Sequence, residues 1–181
     1  FGPPFAFMGA VLAVRGAPSL QVFFWVVVAM VGARTCAMRF NRIADRRFYA
    51  VNPRTADRAL PAGSVTLRES WLMVVLSGSL FFIACFMLNR LALQMAPFAL
   101  ALTLLYSLTK RFTWLCHVVL GVALAFSPLG GWVAASGSFE GYPWFLSPAV
   151  LFWSTGFWST YACLDAGFVR AAGLFSWPAS C

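Results

Sequence analysis

The feature that most constrains this chain is a succession of apolar runs, most of them about 20 residues long, each closed by a polar break. That is the length of helix a bilayer core requires. With proline, glycine and charged residues as punctuation, the runs cover residues 4–14, 20–40, 70–88, 92–108, 113–135 and 148–165. The first is too short to cross unaided. Inside lipid every backbone polar group needs a partner within the protein, so a spanning segment is either a helix or a strand of a closed barrel. Barrel strands alternate apolar and polar residues over roughly 10 positions, and no such alternation is present. The expectation is an all-α polytopic transmembrane bundle of about six spans, in one domain covering residues 1–181. Composition agrees, with 61% hydrophobic and 10% charged residues against roughly 25% charged in soluble domains.

The five cysteines are widely spaced, lack a C-x-x-C pattern and lie mostly within apolar runs, so they read as small buried hydrophobes. The opening "FGPPFAFMGAVLAVRG" has no basic lead-in and continues into membrane-like sequence, which is not the pattern of a cleavable signal. Its start without Met reads as a fragment. The formal charge of +8 could point to nucleic acid, but its distribution points elsewhere. Counting six spans, Arg34, Arg39, Arg42, Arg46, Arg47, Arg54, Arg58, Arg68, Lys110, Arg111 and Arg170 fall on one side of the membrane. Arg15, Arg90 and Glu140 fall on the other. By the positive-inside rule the rich side is cytoplasmic.

Residues 39–63, "RFNRIADRRFYAVNPRTADRALPAG", gather six arginines, two aspartates and two asparagines. Asn41 and Asp45 are spaced i, i+4, which puts both on one face if the second helix continues through them. Amide and carboxylate oxygens suit Mg²⁺, which completes its shell with water and a phosphate-bearing substrate. Arg42, Arg46, Arg54 and Arg58 stand around that pair, and guanidinium planes match phosphate oxygens two at a time. Lys110 and Arg111 come to the same side from another loop. Asp165, four residues after Tyr161, ends the sixth run there.

A plainer account exists for each of these. Basic residues beside spans are the ordinary topological signal and anchor anionic lipid, and Asp45 and Asp57 can pair with nearby arginines. That account suits any single arginine. It suits Asn41, Asp45, Lys110 and Asp165 together less well, because ionisable groups at membrane depth are costly and tend to be functional. His117 has no second ligand in view and reads as packed, Tyr161 serves equally well as a structural residue, and Gly32, Gly78 and Gly121 read as close helix contacts. A transporter or channel fragment would place polar groups mid-span; here the charge lies towards helix ends.

The polar segments also resemble a known family. "NRIADRRFYAVNPRTADRALPAG" is similar to the first polar signature of the UbiA superfamily of intramembrane aromatic prenyltransferases, N-x-x-x-D-x-x-x-D followed by N-P-R-T and R-x-L-P-x-G. The 4-hydroxybenzoate polyprenyltransferase-like group is the nearest in pattern. "YSLTKRFTWLCHVVLG" resembles that group's Y-S-x-x-K-R-x-T segment. "GFWSTYACLDAGFVRAAGLFSWP" resembles its second acidic signature, D-x-x-Y-A-x-x-D-x-x-x-D. The resemblance implies a nine-helix fold of which about six helices are present, in the bacterial inner membrane with the active face cytoplasmic. It implies transfer of a polyprenyl group from a polyprenyl diphosphate to an aromatic acid such as 4-hydroxybenzoate, for ubiquinone or menaquinone biosynthesis, with Mg²⁺ as cofactor and no nucleic-acid partner. Residue by residue, it implies Asn41, Asp45 and Asp165 as metal ligands, with Asp45 and Asp165 catalytic. Arg54, Arg58, Lys110, Arg111 and Tyr161 would be substrate contacts. The chain departs from the signatures at Tyr49, Trp158 and Val169, where they carry aspartate, and at Gly167 and Leu164. The alternative is a non-catalytic relative that keeps the fold and its basic face without holding metal.

Overall fold

The structure, a computed structural model, describes residues 2–46, 64–109 and 111–165. Among them are six helices and no strand: α1 (Gly2–Val14), α2 (Leu20–Ala44), α3 (Leu67–Leu88), α4 (Arg90–Thr109), α5 (Cys116–Ser136) and α6 (Leu146–Ala162). A 3₁₀ turn, Cys163–Asp165, follows α6. Helices α2 to α5 are long and apolar enough to cross a membrane, whereas α1 has 13 residues and α6 has 17.

Hydropathy places the helices to within a few residues, and the capping chemistry corrects their ends. Helix α2 runs on past residue 40 to Ala44, carrying Asn41 with it. Helix α3 begins at Leu67 rather than 70, because Thr66 and Glu69 form a capping box. The Thr66 amide donates to Glu69 Oε2 at 2.7 Å and the Glu69 amide donates to Thr66 Oγ1 at 3.2 Å. Each side chain thereby satisfies an amide that the helix start would leave without a carbonyl. Helix α5 ends at Gly137, whose φ of 71° supplies the left-handed turn that glycine adopts without a Cβ penalty.

The outer surface is apolar. Phe86, Phe98 and Phe152 are 68%, 73% and 74% exposed, an arrangement that water would penalise and lipid accepts. The protein is an integral membrane protein. Helix association in lipid depends on close backbone approach, and the chain supplies small residues for it. Helix α2 packs chiefly on α3, α1 on α5, and α5 on α6, with α4 joining α2, α3 and α5. A Cβ built on Gly131 of α5 would lie 1.8 Å from the Ala6 carbonyl oxygen of α1, and one on Gly32 of α2 would lie 2.9 Å from the Ser77 carbonyl oxygen of α3. Gly121 of α5 meets Leu151 and Thr155 of α6 in the same way, while Gly78 has more room.

Asn89, between α3 and α4, pins the end of the bundle that holds Ser136. Its Oδ1 accepts from the Ala92 amide at 2.8 Å, and its Nδ2 donates to the Val133 carbonyl at 2.8 Å. Three of the cysteines, Cys36, Cys85 and Cys116, are buried as expected, and Cys163 is exposed on the terminal turn.

Candidate functional site

The helices line a half-open cavity of about 610 Å³, within the range of ligand pockets. Its long wall is one face of α2, where Met30, Ala33, Arg34, Ala37, Met38, Asn41 and Arg42 recur at helical spacing. Alanine, leucine and glycine residues of α4 and α5 form most of the opposite wall. Asn41, Arg42, Tyr106, Ser107 and Trp158 give one end polar character, with Arg34 about two turns further in, while the other closes on Leu88, Val133 and Ala134. Among the described residues the lining holds two arginines and no aspartate or glutamate.

The polar end is built from the carboxyl ends of α2 and α4. Asn41 Nδ2 donates to Ser107 Oγ at 3.3 Å, tying the two helices across a separation of 66 residues in sequence. Asp45, the C-cap of α2, is 0% exposed. A buried negative charge at the negative end of a helix is unfavourable twice over, through desolvation and through the helix dipole. Arg111 answers both. Its guanidinium lies 3.9 Å from Asp45 Oδ1 and donates to the carbonyl oxygen of Ala44, in the last turn of α2.

The expected site residues divide by place. Asn41, Asp45 and Arg111 come together, and of the three only Asn41 borders the cavity. Tyr161 is 45% exposed and outside the cavity lining, its ring edge-on to Trp158 with centroids 5.7 Å apart. Trp158 is the α6 residue that reaches the wall. Arg54, Arg58 and Lys110 lie outside the described residues, as do Tyr49, Asp57, Gly167 and Val169 and the side chain of Asp165. His117 is packed as anticipated: its carbonyl accepts from Thr155 Oγ1 and its Nδ1 lies 3.6 Å from Cys116 Sγ.

Two residues gain weight from the structure. Arg34 was assigned to the basic face, yet it sits roughly ten residues, or ~15 Å, inside the carboxyl end of α2 and borders the cavity. Arg42 borders it two turns later. The signal was present in the sequence as polar residues at 34, 41 and 42 that share one face of a 3.6-residue period on a mostly apolar helix.

The family model of the UbiA prenyltransferase family matches residues 3–180. The chain belongs to the UbiA prenyltransferase family. Among its UbiA relatives is the 4-hydroxybenzoate octaprenyltransferase of Shewanella loihica, 34% identical over 158 residues, which are 87% of this chain and 55% of the relative. The enzyme of the same name from Shewanella woodyi is 32% identical over the same extent. The chain thus spans about half the length of the curated UbiA relatives it matches. Among solved structures, an apo UbiA homolog from Aeropyrum pernix K1 superposes with a TM-score of 0.91 at 39% identity, covering 99% of this chain and 68% of that one. A UbiA homolog from Archaeoglobus fulgidus bound to DMAPP and Mg²⁺ shares the fold, with a TM-score of 0.80 at 20% identity over 98% of this chain and 64% of that one.

The magnesium of that homolog tests the UbiA donor set of this chain. Mg²⁺ binds through one or two carboxylates together with substrate phosphate. Among the described residues the cavity lining presents no carboxylate, Asp45 is buried beside Arg111, and the Asn41 amide nitrogen donates to Ser107. Among the described residues no three of His, Cys, Asp and Glu come together in a metal-holding group. Asn41 and Asp45 are thus the described part of the expected metal set, and the side chain of Asp165 lies outside the described residues.

Proposed function

We propose that this chain forms the substrate-binding core of an intramembrane aromatic prenyltransferase, taking a polyprenyl diphosphate as donor and an aromatic acid of the 4-hydroxybenzoate type as acceptor for quinone biosynthesis. The observation that carries the reading is the cavity lining, a long apolar wall that carries Arg34 and ends in Arg42. An isoprenoid chain suits the apolar wall, and a diphosphate and an aromatic carboxylate, both anionic, suit the arginines. The named activity of the Shewanella relatives supports the choice of acceptor, and the prenyl-bound archaeal homolog supports the class of donor.

In this reading the allylic carbon–oxygen bond breaks and its electron pair leaves with the diphosphate, whose growing charge the arginines stabilise. A ring carbon of the acceptor then bonds to the allylic carbon and the ring loses a proton. The apolar lining disfavours water beside the cation, and Tyr106 and Trp158 in its wall supply aromatic rings that can stabilise it. Mg²⁺ is kept as the cofactor in this reading: Asn41, Asp45 and Asp165 would hold it, and it would neutralise charge on the leaving diphosphate. The basic end is assigned to the cytoplasmic face of a bacterial inner membrane by its charge.

Asn41 and Arg111 keep their expected place at the polar end, and Asp45 serves to seat Arg111 on α2. A second reading, a relative that binds the isoprenoid without transferring it, is favoured by Trp158 standing where the signature carries aspartate. The test is the chain in proteoliposomes with radiolabelled prenyl diphosphate and a panel of aromatic acids. A labelled prenyl–acid product is the expected result. Retained label without product selects the second reading, and neither binding nor product refutes both.

A further inference from the structure

We infer that the packed end of the cavity, built on Val26, Leu88, Val133 and Ala134, sets how much of a donor's tail the protein holds: about five isoprene units, with any further units outside. The inference rests on the donor class proposed above and adds to it a length limit that the class does not imply. Small side chains keep the cavity open along its walls. Helix α2 contributes Ala29, Ala33 and Ala37 and helix α4 contributes Ala92, Ala96 and Ala99, each set at the spacing of one helical face. Methyl groups facing one another across two helices leave room for a chain between them.

Away from Arg42 that room ends. Ala6, Val26 and Ala134 form one buried cluster, with Val22, Met30 and Leu88 packed against it, and Val133 is 0% exposed. Asn89 Nδ2 donates to the carbonyl oxygens of Val133 at 2.8 Å and Ala134 at 3.4 Å, so the connection between α3 and α4 holds the last turn of α5 in place. A tail passing this point would have to part α1, α2, α3 and α5. The depth follows from the helices. Val26 and Arg42 border opposite ends of the cavity, and the stretch of α2 between them is ~24 Å long. An isoprene unit adds four bonds to a chain where an amino-acid residue adds three, so it extends by roughly 4.7 Å against roughly 3.5 Å. Five units fill the depth and a sixth meets the cluster. Because the cavity is half-open, a longer tail turns out into lipid, whose chains are as apolar as the wall.

The experiment uses the full chain in nanodiscs and diphosphates of two, five and eight isoprene units, each carrying a photoactivated diazirine on its last unit, with the labelled positions mapped by mass spectrometry. The two-unit probe is expected to label the middle of the wall, around Ala37 and Leu100, and the five-unit probe to label Leu88, Val133 or Ala134. The eight-unit probe is expected to label lipid or the outer surface. Ala134→Phe fills the packed end, so on that variant the five-unit donor should weaken at least tenfold more than the two-unit donor. A five-unit probe that labels lipid on the unaltered chain overturns the inference, since its tail then leaves by the open side before reaching the end; this result decides the matter without the variant. An eight-unit probe that labels the cluster overturns the stated length, and an unchanged ratio on Ala134→Phe removes the cluster from its role. Absence of any labelling displaced by unlabelled geranyl diphosphate overturns the donor class itself.

Discussion

The contact between α1 and α5 offers a paired test, because two adjacent glycines of one helix differ in a single respect. A Cβ on Gly131 would stand 1.8 Å from the Ala6 carbonyl oxygen and 2.6 Å from its carbon, whereas a Cβ on Gly130 meets nothing within 4 Å. Both glycines border the cavity. Gly130→Ala therefore adds a methyl group in open space and removes a flexible glycine from a helix interior, a gain of up to about 1 kcal/mol. Gly131→Ala has the same propensity gain and a clash about 1.6 Å short of the 3.4 Å where ordinary contact begins. The atoms it meets are backbone, so the two helices must part, at an overpacking cost of roughly 1–3 kcal/mol. The expected gap between the variants is then about 1–3 kcal/mol, or several degrees in melting temperature for a chain of this size. Thermal unfolding in detergent, followed by intrinsic tryptophan fluorescence, reads it. Truncating Ala6 to glycine should not rescue Gly131→Ala, because the clash is with the Ala6 main chain rather than its methyl group. Equal melting of the two single variants, or rescue by Ala6→Gly, would refute the claim that backbone contact sets this helix spacing.

Arg111→Gln removes the guanidinium beside a wholly buried carboxylate; the cost should fall near 2 kcal/mol, below the 3–5 kcal/mol of a fully buried pair, because Arg111 is 36% exposed. Asp45→Asn in the same chain should recover part of that loss, and strict additivity in the double-mutant cycle would show that the pair does not interact. Asn89→Ala should cost roughly 1–3 kcal/mol through loss of the Ala92 cap and the bond to Val133. Asn89→Asp should do no better, since it keeps an acceptor for the Ala92 amide but turns a carboxylate to the Val133 carbonyl; a melting point at the native value would remove Asn89 from its role as a pin. Trp158→Asp should add a carboxylate to the described lining, and electron paramagnetic resonance should show Mn²⁺ binding at least tenfold tighter than in the native chain. Unchanged Mn²⁺ binding would show that a carboxylate at position 158 does not draw a cation into the cavity.

The candidate site was legible in unequal parts. Asn41, Asp45 and Arg111 come from three recognisable polar stretches, and their approach to one another follows once the helices alternate in direction. That Asp45 faces Arg111 instead of the cavity was not readable, because a spacing of i, i+4 reports which residues share a helical face and not which neighbour that face meets. Tyr161 and Trp158 were exchanged for a similar reason: the three-residue offset separates them by about 60° around α6, enough to put one ring in the wall and leave the other largely exposed.

By itself the sequence determined that the protein is helical and lies in the membrane, how its helices succeed one another, and which end of the bundle is basic. Those properties depend on local quantities: hydropathy over a window, the position of prolines and glycines, and the charge of each connection. Helix ends were already less certain, since hydropathy senses where lipid begins while the capping box at Thr66 and the turn at Gly137 set where the backbone stops. Only the tertiary structure decided that α1 packs chiefly on α5 rather than on its sequence neighbour α2, that Arg34 borders a cavity, and that Asp45 is buried beside Arg111. Each of these joins residues far apart in the chain, and which distant surfaces meet depends on the fit of whole helix faces, which no single stretch of sequence contains.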